Sequence, residues 1–160
     1  MQQLKRARVD AANHRGSSVD HWRFYSCHPH DFIQQVTPLA GHLADALHLD
    51  QQILDGSYAS LDAVSKACEA QGPDTVFTTL YDNVLAYVGE VIRQRVAGHW
   101  EVNTTHAGGD YPFVSIGFPR VQYMPINVVW TALQGSGPVD LRKEAANEIR
   151  LRATRVLEII

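Results

Sequence analysis

VFTTLYDNVLAYVGEVIRQRVA (Val76–Ala97), followed by GHWEVNTTHAGGDYPFVSIGFPRVQYMPINVVW (Gly98–Trp130), changes period partway along, from helical spacing to short extended runs. Phe77, Leu80, Tyr81, Val84, Val88, Val91 and Ile92 recur three or four positions apart, which places them on one side of a helix, with a narrower row of Leu85, Gly89 and Val96 beside it. The pattern predicts one long amphipathic helix over Val76–Ala97. Gly98 stands where a helix stops, because a left-handed residue after the last turn carries little strain without a Cβ. His99–His106, Tyr111–Phe118 and Val121–Trp130 are rich in aromatic and β-branched residues and read as three antiparallel strands. Ala107-Gly-Gly-Asp110 supplies the first connection, Pro119-Arg120 breaks the second strand from the third, and Pro125 predicts an edge or a bulge in the third. Gly89 costs a helix interior about 1 kcal/mol relative to alanine, so its presence there predicts close approach of another element.

Working toward the N-terminus, Asp74 is expected to cap the long helix, and Ser60 a short one from Leu61 to Ala70 that buries Leu61, Val64 and Cys68. Gln51–Tyr58 reads as a connection. Asp31 is expected to cap a helix reaching Leu49, with Phe32, Val36, Leu39, Leu43, Ala46 and Leu47 along one side and a kink at Pro38. Toward the C-terminus, Gly135-Ser-Gly-Pro138 leads into a helix over Val139–Ile159. There Leu141, Ala145, Ile149, Ala153, Val156, Leu157 and Ile160 form an apolar row, with Arg142, Lys143, Glu144, Glu148, Arg150 and Arg155 on the other side. The fold class is therefore α+β: a helical N-terminal half, a long central helix packed on a small three-stranded antiparallel sheet, and a C-terminal helix. Residues 1–20, with Lys5, Arg6, Arg8 and Arg15, are set apart as a basic segment, and residues 21–160 as a single domain.

Composition narrows the classes of function. A chain of 160 residues is enough for one domain, burying about 70% of its unfolded surface. A content of 45% hydrophobic and 19% charged residues suits an ordered chain. The formal charge of −3 gives no electrostatic reason to expect nucleic acid or an anionic membrane as partner. Apolar runs fall far short of the ~20 residues that span a bilayer, and no apolar stretch follows the basic start as in a secretory signal. Two cysteines, Cys27 and Cys68, make no disulfide framework, so reduced thiols in the cytoplasm are expected.

Chemistry is densest in His21-Trp-Arg-Phe-Tyr-Ser-Cys-His-Pro-His-Asp31. His21, Cys27, His28, His30 and Asp31 are all of metal-ligating type. A closed zinc site draws paired ligands from two separated places, however, and only His99 and His106 would supply a distant pair. The competing reading anchors the segment on Trp22, Phe24 and Tyr25, with the histidines in a turn at Pro29. A Cys27 nucleophile paired with His99 or His106 is weaker again, since nothing in the sequence brings them together. The glycines at 108 and 109 lack the Gly-Lys-Ser/Thr of a phosphate loop, and no cofactor is expected. Glu90 points away from the main apolar row, either as a buried acid at a site mouth or as a solvated or hydrogen-bonded side chain.

Leu85-Ala-Tyr-Val-Gly-Glu-Val-Ile92, with Gly98-His-Trp100 and Pro125-Ile-Asn127 after it, resembles a loose group of small bacterial α+β domains. These pair a Tyr-x-Gly-Glu-Val helix with a Gly-x-Trp strand; they are largely without assigned activity, and some similar proteins are immunity proteins that neutralise a cognate toxin. The resemblance covers about residues 57–134 and transfers no catalytic residue. It implies a non-enzymatic module that occludes a protein partner, most concretely a toxin domain. Tyr111, Arg120, Tyr123 and Trp130 are the expected contacts, with Phe113 beside them, because Tyr, Trp and Arg dominate interface energetics. The same aromatics serve equally as core, above all Trp130 and Phe113. Two further readings stand behind this one. The C-terminal helix, with its apolar row and Ile159-Ile160, suits a subunit of an assembly; His21, His28, His30 and Asp31 suit a small metal-dependent hydrolase. The sequence sets no oligomeric state.

Overall fold

Seven α-helices and one three-stranded antiparallel sheet make up the computed structural model, which describes residues 29–103, 111–117 and 121–159. The expected α+β class holds. The helices are α1 (Pro29–Gly41), α2 (Leu43–Ala46), α3 (Tyr58–Gln71), α4 (Pro73–Thr79), α5 (Tyr81–Val96), α6 (Pro125–Gln134) and α7 (Leu141–Ile159), and the strands are β1 (His99–Asn103), β2 (Tyr111–Ile116) and β3 (Val121–Tyr123). The basic segment of residues 1–20 lies outside the described residues.

Helix α5 is the axis of the core. Every residue from Val84 to Gly89 is buried, so this stretch of the helix is covered on all sides, while Asp82, Asn83, Glu90, Arg93, Gln94 and Arg95 keep its two ends polar. It touches α1, α6, α7 and β2. The predicted single helix over Val76–Ala97 is instead two, α4 and α5, kinked at Leu80 (φ −124°, ψ 11°). Thr78 and Thr79 donate their hydroxyls to Asp74 O and Thr75 O, each at 2.8 Å, a back-bonding that bends helices. The backbone bonds Leu80 N to Val76 O and Val84 N to Leu80 O bracket the kink.

Two glycines join this helix to the sheet. Ala97 (φ 53°), not Gly98, takes the left-handed position that ends α5. Gly98 is required for space: a Cβ there would lie 2.7 Å from Ser115 O and 2.9 Å from Val114 Cγ1. At Gly89 the predicted close approach is present, with a Cβ falling 2.2 Å from Trp100 Cζ2 and Cη2.

The sheet runs β1-β2-β3, with His99 opposite Ser115 and Val114 opposite Tyr123. Pro112 is tolerated in the middle strand because β3 pairs only with Val114–Ile116, leaving Pro112 paired on the β1 side alone. The third predicted strand is shorter than expected. It ends at Tyr123, and Pro125 opens α6 instead of bulging a strand. Proline at the first helical position lacks only a donor that the helix would leave unpaired. Ile126, Val129 and Leu133, with Val128 and Ala132, are then buried at helical spacing.

Smaller corrections have equally local causes. The expected helix from Asp31 to Leu49 is α1 and α2, with Pro38 inside α1. Ser57, not Ser60, caps α3, its hydroxyl accepting from Ser60 N at 3.2 Å. Gly72, not Asp74, precedes α4, whose first residue is Pro73. Cys68 is fully buried as expected, and burial, helped by the nearby Glu69 charge, pushes its thiol up to about 12.

Candidate functional site

Of the residues singled out for partner contact, Tyr111 and Tyr123 are 4% and 6% exposed, packed within the core. Phe113, at 1%, is tilted against Tyr111 with ring centroids 6.1 Å apart. Trp130 is half-buried on α6 and sets its ring edge-to-face on Phe77 at 5.5 Å. Arg120 lies outside the described residues, as do His21, Cys27, His28 and His106. His30 belongs to the first turn of α1, and Asp31 is exposed beside it. Exposed on β1, His99 meets Glu101 at 3.2 Å. Among the described residues no three His, Cys, Asp or Glu side chains converge as metal ligands.

Glu90 lies at the junction of helix and sheet. Arg93 donates to both of its oxygens (Nε to Oε1 at 3.0 Å, Nη2 to Oε2 at 2.8 Å), and Trp100 Nε1 donates to Oε1 at 2.8 Å. Burial works to raise this carboxyl, but the hydrogen bonds from Arg93 and Trp100 outweigh it and hold it below the ordinary glutamate value. Both oxygens are engaged, so the group positions the Trp100 indole over Gly89 and is not a ready proton acceptor. The Gly89-Glu90 and Gly98-x-Trp100 elements of the sequence pattern thus meet in one packing unit.

A groove of about 550 Å³ runs between α6 and α7. Asn127, Val128 and Thr131 line it from α6, and Glu144, Asn147, Glu148, Arg150 and Leu151 from α7. Glu148 was expected on the solvated side of its helix; the structure buries it to 7% exposure. Its Oε1 accepts from Met124 N at 2.9 Å, just where β3 ends, and from Arg152 Nε at 2.9 Å. That carboxylate therefore fixes the strand-to-helix corner. Tyr123, next to the corner, has its hydroxyl pushed up by burial and by the Glu148 charge. A signal was present in the sequence: Leu141, Ala145, Glu148 and Arg152 follow the spacing of a buried seam, i, i+4, i+7, i+11. The Arg150 guanidinium is tied to Asn147 Oδ1. Leu151, by contrast, is 49% exposed at the groove.

Among the described residues no histidine or cysteine lines this groove. Its walls carry amide, hydroxyl, carboxylate, guanidinium and apolar groups on two helices. Comparison with known protein families, with curated proteins and with solved structures finds no match.

Proposed function

We propose that this chain is a non-enzymatic protein-binding module of the cytoplasm, of the kind that in bacteria neutralises a cognate toxin by occluding it. The supporting observation is the α6–α7 groove, with Leu151 49% exposed against a polar wall. Occlusion asks for an anchored patch with an apolar centre and a polar rim, not for a reaction centre. Helix α7 is held by Leu141 N donating to Ser65 Oγ at 2.9 Å and by Arg142 meeting Asp62 at 2.8 Å, so the patch stands on a fixed support. Of the contacts expected from sequence, Trp130 keeps a place in this reading, one turn along α6 from Asn127.

The test is capture with the tagged full chain from the cells that make it, followed by an activity assay of the captured protein. A toxic activity abolished by one equivalent of the chain, and restored when Thr131→Trp fills the groove, is the expected result. A captured protein whose activity is unchanged, or one held equally by the Thr131→Trp chain, removes the reading. The exposure of Leu151 also favours a second reading, a subunit that associates through α7. Native mass separates the two: a self-assembled species dispersed by Leu151→Glu would put assembly first.

A further inference from the structure

We draw no further inference here: the strongest candidate, the groove between α6 and α7 with Leu151 exposed on its wall, belongs to the site already described, and nothing in the structure shows what covers it.

Discussion

At Gly89 the absence of a single side chain decides how helix and sheet meet. The Trp100 indole occupies the space in which a Cβ would sit, 2.2 Å from its nearest ring carbons, and Phe32 closes edge-on against the same indole at 5.7 Å. Gly89→Ala gains about 1 kcal/mol of helix propensity but forces this ring out. Overpacking of this kind typically costs roughly 1–3 kcal/mol, and the Trp100–Glu90 hydrogen bond goes with it, so a net loss of stability is expected. Urea unfolding followed by tryptophan emission checks it; an unchanged or raised midpoint would show that the ring repacks without loss. The need for a glycine here was legible in sequence, because the helical period runs straight through it. Which neighbour approaches was not, since no spacing rule links position 89 to position 100. Gly98 was legible for the wrong reason. It stands clear of Ser115 O, while Ala97 takes the positive φ.

At the scale of elements, the tie between α5 and β1 is electrostatic as well as steric. Glu90 is held below its ordinary value of 4.5, against burial, by hydrogen bonds from Arg93 and Trp100. A depressed folded-state value contributes stability that is present above the unfolded value and lost as pH falls through the folded one. The wild type should therefore exceed Glu90→Gln in unfolding midpoint by a constant margin from neutral pH down to about 4.5, and the margin should shrink below it. Denaturant midpoints measured at intervals down to pH about 3 read this directly; a margin that does not change with pH would mean that Arg93 and Trp100 do not favour the ionised form. Short apolar runs serve strand and helix alike, so Val121–Trp130 read as a strand although its second half is helical. Pro125 was the available arbiter, because proline at a first helical position is favourable whereas proline in a strand is merely tolerated. The kink at Leu80 was hidden for a different reason: threonine back-bonding leaves the apolar period of Phe77, Tyr81 and Val84 intact.

For the whole molecule, the question is whether α7 completes the core or only decorates it. Its periodicity made the helix legible, but its contacts are tertiary: Leu141 and Ala145 are 0% exposed, and Val139 just before it is 7% exposed. Ser65 Oγ accepts the Leu141 amide, and Glu69 accepts the Val139 amide at 3.1 Å, so side chains of α3 cap the start of α7. In the other direction Glu148 accepts the Met124 amide where β3 turns into α6. Removing residues 139–160 would strip apolar cover worth about 1.5–3 kcal/mol for each large side chain, against a total stability of about 5–15 kcal/mol for an ordinary domain. It would also leave Met124 N without its acceptor at a buried corner. The truncated chain is therefore expected to lose its cooperative unfolding transition and near-ultraviolet dichroism, not merely to change its mass. A folded truncation of altered oligomeric mass would reverse this, making α7 a contact arm and assembly the leading reading. The candidate site depends on the same answer, because the carboxylate that holds the β3–α6 corner also lines the groove. Sequence reading placed Glu148 among the solvated charges since charge is normally a surface property. Only the packing of α7 against β3 and α6 makes it both a structural cap and a wall of the groove.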